Sequence, residues 1–372
     1  MGRRHTFSKY TDNTSHAMLI NAIAKTAVRI MKWRRAHLSD QAFLFILAVI
    51  TGVSCGIAAA LLKSMIACIS RALTSWMHST SANYILLAIP VAGIVLTGIY
   101  QRYVLRHNIE HGVRRIQDYI SQKTYRLPGY LTYAPMIASS LTLGFGGSAG
   151  SEGPIATSGA AIGNSIGRLF RLDNRMLMIM IGCGAGAGIA GIFKAPAGGV
   201  LFTLEVLKLE LTTVSVIALF LASITAAMTA YILSGCTVDM SFLQMEQFDA
   251  SVIPWIILLG AVTGAYSLYY SDIMGLMSRL YDRIRNPWLK NTVSGMVLAA
   301  LLFVFPAMYG EGYTMMEHLL NGDIQAITSY SLFHSDTSAG WPLMLIVAGI
   351  VLTKAFATSA SNCGGGVAGD FA

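Results

Sequence analysis

The chain has 372 residues, of which 54% are hydrophobic and only 12% are charged, and its mean hydropathy is +0.58. A soluble domain carries roughly 25% charged residues, so this composition excludes a water-soluble globule. The formal net charge is +8, but no aromatic-interleaved basic surface accompanies it, which argues against nucleic-acid binding. The five cysteines have no metal-ligand spacing and are expected to pack as small hydrophobic residues.

Residues 1–40 are expected to form a polar, basic leader. Much of the positive charge lies within the first 35 residues, which the positive-inside rule places on the cytoplasmic side. Residues 17–35 have the pattern of an amphipathic interfacial helix, and no signal-peptide pattern precedes the first long apolar stretch. We therefore expect a multi-pass protein of the cell membrane with a cytoplasmic N-terminus.

Six later stretches are apolar and long enough to cross a bilayer, which takes about 20 residues per helix. Between residues 132 and 206 the chain stays apolar but is heavily punctuated by glycine, which predicts several short or tilted helices. The fold class is therefore an all-α polytopic membrane protein with broken helices. The six stretches cover residues 43–62, 84–100, 214–233, 252–269, 293–309 and 341–356.

Many of the 36 glycines lie in dense clusters. The clusters are denser than helix packing requires, so they predict irregular backbone at membrane depth, which is tolerated only beside a water-filled cavity. For the middle cluster, a tightly packed small-residue helix that breaks at Pro196 is the more direct interpretation. The clusters are Gly144, Gly146, Gly147, Gly150 and Gly153; Gly182, Gly184, Gly186, Gly188 and Gly191; and Gly364, Gly365, Gly366 and Gly369.

Two of these glycine-rich segments repeat at a constant offset of 219 residues. Ala138 aligns with Ala357, and the segment 147–154 aligns with the segment that begins at Gly366. Such segments at corresponding places in two halves point to a transporter binding site, although Gly-, Ala- and Ser-rich stretches can also match by chance. We predict a first membrane repeat over residues 41–235 and an inverted second repeat over residues 236–372. The second copy stops just after its motif, so the sequence looks C-terminally truncated.

Glu152 is the residue most expected to carry function. An ionisable group in an apolar segment is energetically costly, and the following Gly153-Pro154 places Glu152 at or beside a helix N-terminus. The unpaired N–H groups and partial positive charge there favour an anion, with which a carboxylate would compete. Protonation would remove the competitor, so Glu152 is a candidate gate and proton acceptor. The alternative is a carboxylate that only caps its own helix.

These segments resemble the signatures of one family. Gly150-Ser-Glu-Gly-Pro154 resembles the GxEGP signature of the CLC chloride channels and chloride/proton antiporters, and residues 184–205 resemble the stretch that follows it. Residues 365–372 are similar to the GGxFxP signature without its proline. The resemblance implies a non-enzymatic homodimer in the lipid bilayer, without a cofactor, with one chloride pore per subunit and Glu152 as its gating glutamate. It also implies chloride coordination by backbone N–H groups around Ser151, Glu152, Gly153, Asp370, Phe371 and Ala372.

Three departures from the family pattern bear on selectivity and coupling. The family's GSGIP signature should lie at residues 110–114, where His111 replaces the coordinating serine and only Gly112 and, roughly, Val113 agree. A protonated His111 would attract anions, although a solvated loop histidine explains this residue equally well. Val206 occupies the position of a second glutamate that the family's antiporters often carry. The family's pore tyrosine would lie beyond residue 372.

A passive, voltage-gated-type chloride channel is the first functional hypothesis, because a proton crossing the inner half of the membrane needs titratable groups and Val206 provides none. A chloride/proton antiporter is the alternative, since a chain of waters could replace one carboxylate. A remote alternative is an intramembrane serine hydrolase, because Gly146-Gly-Ser148-Ala-Gly150 fits the G-x-S-x-G pattern. The glycine-rich membrane context and the lack of a neighbouring histidine argue against it.

Overall fold

A computed structural model of the chain describes residues 39–75, 84–107, 109, 112–121, 126–207, 212–236, 249–323 and 341–369. The basic leader with its expected interfacial helix lies outside the described residues, as does most of the join between the two predicted repeats. The regular structure of the described ranges is helical, and one isolated antiparallel bridge accompanies the helices. The predicted all-α class is confirmed.

The helices are numbered in chain order within the described ranges. Before residue 236 they are α1 (Asp40–Thr74), α2 (Ile85–Ile99), α3 (Gly112–Ser121), α4 (Ala134–Gly144), α5 (Glu152–Leu169), α6 (Asn174–Phe193), α7 (Pro196–Leu207) and α8 (Thr213–Leu233). After it they are α9 (Ile253–Asp282), α10 (Pro287–Val304), α11 (Tyr313–Leu320) and α12 (Trp341–Cys363). Helix α2 continues into a π-helical turn, Tyr100–Leu105.

In the described part of the chain, seven helices are long and apolar enough to cross a membrane. Six of them coincide with the six predicted stretches, and the seventh is α6. Several predicted ends are wrong: α1 and α9 run past residues 62 and 269 to Thr74 and Asp282, and the stretch expected to run to residue 309 ends as a helix at Val304. Pro306 explains the last of these differences, since proline has no N–H to donate and disfavours helical geometry in the residue before it.

The glycine-rich region between residues 132 and 206 folds as four helices, α4 to α7, which confirms the predicted succession of several helices. Helices α4 and α7 are short, with 11 and 12 residues, whereas α5 and α6 have 18 and 20. Helix α6 ends where Lys194 adopts a left-handed conformation with φ of 55°. Pro196 then opens α7, a position where its missing N–H costs nothing. The predicted break at Pro196 is therefore present.

The middle glycine cluster, Gly182 to Gly191, lies inside regular helix α6, so the expectation of irregular backbone is wrong for this cluster. Its glycines allow neighbouring backbones to touch. A β-carbon on Gly184 would lie 2.0 Å from the carbonyl oxygen of Gly159 in α5, and one on Gly159 would lie 2.2 Å from that of Gly184. Helix α6 packs against α1, α5, α7 and α8 and forms the centre of this part of the fold.

The later helices share a core with the earlier ones. Helix α10 packs against both α2 and α12, and α9 packs against α12. One hydrophobic cluster joins Ile94 of α2 to Leu298 and Leu302 of α10 and to Ile350 and Ala357 of α12. This packing brings the ends of α4 and α12 into the same part of the molecule.

The contact between α5 and α6 predicts an intolerance to side chains. We expect Gly159→Ala to destabilise the protein by about 1–3 kcal/mol, because its β-carbon would meet backbone atoms that cannot rotate away. The measurement is the temperature at which detergent-solubilised protein loses its monodisperse gel-filtration peak. Gly260→Ala is the matched control, since a β-carbon there meets nothing within 4 Å; equal stability of the two variants would contradict the tight contact.

Candidate functional site

Two helices end at residues related by the offset of 219 and continue into similar turns. Helix α4 ends at Gly144 and helix α12 ends at Cys363. Two residues after these ends, Gly146 has φ of +92° and Gly365 has φ of +111°. Both lie in the positive-φ region that glycine adopts without strain, so corresponding positions have corresponding backbone conformations.

Gly147 and Gly366, the next pair of glycines at this offset, also have equivalent surroundings. A β-carbon on Gly147 would lie 2.7 Å from the carbonyl oxygen of Thr142, and one on Gly366 would lie 2.2 Å from that of Ser361. Thr142 and Ser361 are themselves separated by 219 residues. The same close approach at equivalent places supports the internal repeat against a chance match of composition.

The two turns meet through a pair of backbone hydrogen bonds. Gly150 N donates to Gly369 O at 3.1 Å, and Gly369 N donates to Gly150 O at 2.6 Å. These two residues are equivalent under the offset of 219, so each copy pairs with its counterpart, as a local two-fold axis between the turns would require. The predicted convergence of the two glycine-rich turns is present in the fold.

Buried side chains fix the backbone of both turns. Thr142 Oγ1 accepts a hydrogen bond from the N–H of Val367 at 3.0 Å, and Ser361 Oγ accepts one from the N–H of Ser148 at 2.9 Å. Gln101 Nε2 donates to the carbonyl of Gly365 at 3.0 Å. Each bond satisfies a backbone group that would otherwise be costly to bury away from water.

Glu152 is the first residue of α5 and its side chain is only 2% exposed. Its Oε1 accepts a hydrogen bond from the Tyr313 hydroxyl, while its Oε2 has no partner within the described residues. A β-carbon on Gly369 would lie 3.0 Å from that Oε2, so the carboxylate faces the second turn. The residue at the N-cap position is Ser151, whose side chain makes no cap bond, and the Glu152 carboxylate interacts both with its own backbone N–H and with the Tyr313 hydroxyl.

Three residues that the sequence analysis did not single out surround Glu152. Tyr313 bonds it directly, and Glu311 accepts a hydrogen bond from the Ser151 hydroxyl. Lys354 Nζ donates to Ser148 Oγ at 3.1 Å and lies close enough to interact electrostatically with Glu152 and Glu311. Lys354 carried a sequence signal, because it is the only charged residue of α12 and a charge inside an apolar span is expensive. Glu311 lies in the segment that connects α10 to α11, and Tyr313 is the first residue of α11; neither carried a sequence signal.

Of the remaining predicted site residues, three lie within the described ranges and four lie outside them. Gly153 follows Glu152 in α5, and its backbone N lies 2.8 Å from the β-carbon position of Gly369. Gly112 and Val113 begin α3, and the nearby Ile109 N donates to Gln101 Oε1 at 3.4 Å, so the same glutamine contacts this segment and the second turn. His111, Asp370, Phe371 and Ala372 lie outside the described residues.

Two cavities lie near the paired turns. One, of about 540 Å³, is lined in part by Glu311 and Tyr313, the residues that bond Ser151 and Glu152. The other, of about 190 Å³, is lined in part by Gln101, Gly365 and Gly366 of the second turn and by two basic residues, Arg102 and Lys290. Open space therefore borders the second turn directly, and the larger cavity reaches the side chains that bond the N-terminus of α5.

The geometry around Ser148 does not support a hydrolase. Its side chain is fully buried, and its Oγ accepts the Lys354 hydrogen bond rather than one from a histidine. The segment before it is helix α4 and a glycine turn, whereas a nucleophile elbow joins a strand to a helix. A substrate would have no access to this hydroxyl.

The chain is similar to curated proteins that are named as chloride channels or exchange transporters. It is 26% identical over 311 residues to a putative chloride channel protein, ClcB-like, of Ralstonia nicotianae, a match that covers 81% of this chain and 66% of that protein. It is 22% identical over 293 residues to the H(+)/Cl(-) exchange transporter ClcA of Vibrio cholerae, a match that covers 74% of this chain and 62% of that protein. The chain thus spans about two thirds or less of the length of these curated relatives.

A solved structure with a similar fold and a matching family model are consistent with these relatives. The structure of a slow cyanobacterial Cl-/H+ antiporter superposes with a TM-score of 0.70 at 20% identity, covering 89% of this chain and 76% of that one. A family model described as voltage gated chloride channel matches residues 92–372. The chain therefore belongs to the family of voltage-gated chloride channels, the CLC family that its glycine-rich motifs resemble.

Proposed function

We propose that this protein exchanges chloride for protons across a membrane through a site at the paired turns. The observation that carries the proposal is Glu152, a buried carboxylate at the N-terminus of α5 that faces Gly369 of the second turn. The Vibrio cholerae relative is an H(+)/Cl(-) exchange transporter and the cyanobacterial neighbour is a Cl-/H+ antiporter. These relatives favour exchange over the passive channel expected from Val206.

Val206 does not conflict with exchange. It lies in α7, where its carbonyl accepts a hydrogen bond from Gln117 Nε2 at 2.6 Å, and its side chain cannot carry a proton. Water molecules can carry a proton past one missing carboxylate, so exchange needs a wetted inner route near this residue. The absence of a glutamate there is thus a weaker argument for a channel than the relatives are for an antiporter.

Competition between chloride and Glu152 provides the coupling. Two unit negative charges about 4 Å apart repel by roughly 4 kcal/mol at an effective dielectric constant of about 20. That energy disfavours simultaneous occupancy about a thousandfold, since each 1.4 kcal/mol is a factor of ten. An ionised Glu152 therefore excludes chloride from the N-terminus of α5, and a protonated Glu152 admits it. Each chloride that enters requires a proton on this side chain.

The proposal extends to the donors that would bind the ion. N–H groups at a helix N-terminus and in a glycine-rich turn attract anions without any cationic side chain. We assign Glu152 as the gating proton acceptor and chloride as the transported ion, in a homodimer of the cell membrane with cytoplasmic N-termini. The proposed ion-binding residues are His111, Gly112, Val113, Ser151, Glu152, Gly153, Asp370, Phe371 and Ala372.

Neutralising Glu152 should separate the two fluxes. We expect Glu152→Gln to keep chloride efflux within a few-fold of wild type while proton uptake falls at least about tenfold, because the amide imitates the protonated acid but cannot release a proton. The measurement is simultaneous chloride efflux and proton uptake by liposomes that hold the full-length protein. Glu152→Asp, which keeps the charge, should conduct less than Glu152→Gln.

Two results would contradict the proposal in different ways. A wild-type reversal potential that ignores a pH gradient would show a passive channel. Proton uptake and pH dependence that are unchanged in Glu152→Gln would show that this side chain serves only the structure of α5.

The bridge between the turns predicts a second loss of function. A β-carbon in Gly369→Ala would lie 2.8 Å from Gly153 N and 3.0 Å from Glu152 Oε2, so it would occupy the space in which the ion and the carboxylate compete. We expect chloride flux to fall at least about tenfold, equivalent to about 1.4 kcal/mol. Gly264→Ala, where a β-carbon meets nothing within 4 Å, should transport like wild type; a normal flux in Gly369→Ala would show that ions do not pass this bridge.

A further inference from the structure

Glu152 is poorly placed to take a proton from solvent directly. Its side chain is 2% exposed and its Oε1 is bonded to the Tyr313 hydroxyl. The cavity of about 540 Å³ reaches Tyr313 and Glu311 but does not include Glu152 in its lining. A proton that arrives through this cavity therefore meets another ionisable side chain before it meets Glu152.

We propose that Glu311 is a second carboxylate of the gate, which takes protons from this cavity and passes them to Glu152. The inference rests on the proposed exchange function. Glu311 lines the cavity, accepts a hydrogen bond from the hydroxyl of Ser151, and interacts electrostatically with Glu152. Glu311 is thus in contact with the cavity on one side and with Ser151, the residue preceding Glu152, on the other.

The charges around the pair fit a shared proton. Lys354 interacts with both carboxylates and is held in place by its hydrogen bond to Ser148 Oγ. One ammonium group balances one carboxylate, so the cluster retains one negative charge that a single proton neutralises. In the proposed relay, that proton resides on Glu311 when it arrives from the cavity and on Glu152 after the transfer.

The other ionisable groups near Glu311 face it from the cavity and from its own segment. Lys63 of α1 and His318 of α11 line the same cavity, as do the hydroxyls of Tyr309 and Tyr313. His318 Nδ1 is 3.2 Å from Asp323 Oδ2, and Tyr309 donates to the carbonyl of Gly144 at 2.9 Å. Among these lining groups, Glu311 is the carboxylate that also accepts a hydrogen bond from Ser151, the residue before α5.

The transfer is balanced in protons and charge. Hydronium in the cavity gives a proton to the Glu311 carboxylate, which forms an O–H bond and releases water. That O–H bond then breaks as the proton moves to the Glu152 carboxylate, and Glu311 is again ionised. Glu152 leaves the anion site as a neutral acid, and chloride can enter. The reverse sequence returns a proton to the cavity.

The test compares Glu311→Gln with wild type in the liposome assay for chloride and proton flux. Glu311→Gln should slow both fluxes together by at least about tenfold, because protonation of Glu152 becomes limiting, while the reversal potential stays at the wild-type value. The slowing should grow as external pH rises, since direct protonation by hydronium becomes rarer. Glu311→Asp, which retains a carboxylate, should recover part of the turnover.

Two further variants separate a relay from a structural role. Glu317→Gln removes a carboxylate from α11, the helix that begins two residues after Glu311, outside the lining of the cavity, and should leave both fluxes unchanged. Glu311→Gln should have no further effect on chloride flux in the Glu152→Gln background, where proton transfer no longer limits transport. Chloride flux in that double variant also shows that the protein is folded.

Distinct outcomes overturn the two proposals. Wild-type turnover in Glu311→Gln, or an equal loss of chloride flux in the Glu152→Gln background, would eliminate the relay and leave exchange intact. A wild-type protein without a pH-dependent reversal potential would eliminate exchange itself, whatever Glu311→Gln does.

Discussion

The pairing of Gly150 with Gly369 is the constraint on which the site depends. Two hydrogen bonds between backbone groups join segments 219 residues apart, and neither residue has a side chain that could keep the strands of chain apart. The pairing satisfies two N–H groups and places Gly153 N of the α5 N-terminus beside a small volume at Gly369, 2.8 Å from the β-carbon position of that residue. Glu152 faces that volume because its helix begins two residues after the bridge. A larger residue at position 369 would meet Gly153 N, Glu152 Oε2 and the carbonyl oxygen of Gly150.

Local properties of the sequence predicted most of the fold. Apolar length identified the six spans, Pro154 indicated where α5 begins, and the constant offset placed the two turns together. The middle glycine cluster was harder, because glycine serves both positive-φ turns and close helix packing, and composition alone does not distinguish them. The contact of Gly159 with Gly184 shows that this cluster serves helix packing. That contact exists only when α5 and α6 are packed, so composition alone could not reveal it.

The surroundings of Glu152 could not be predicted in the same way. Glu311 and Tyr313 lie about 160 residues from the groups they bond, and their segment has neither apolar periodicity nor a recognisable offset. Their role comes from the packing of α10 against α2 and α12, a tertiary property. Lys354 was accessible to sequence reasoning as a lone charge within an apolar span, yet its partner Ser148 belongs to the other copy of the repeat.

The backbone contact between α5 and α6 also determines which part of the gate can move. Helices that touch through glycine have no side-chain layer to slide on, so a rotation or shift of α5 would force main-chain atoms into each other. Movement is left to the few bonds of the Glu152 side chain, and rotamer changes are far faster than the microsecond to millisecond displacements of whole helices. In the proposed exchange mechanism, opening therefore waits on the arrival of a proton, and the rate of ion passage follows acid–base chemistry at the cavity rather than rearrangement of the fold.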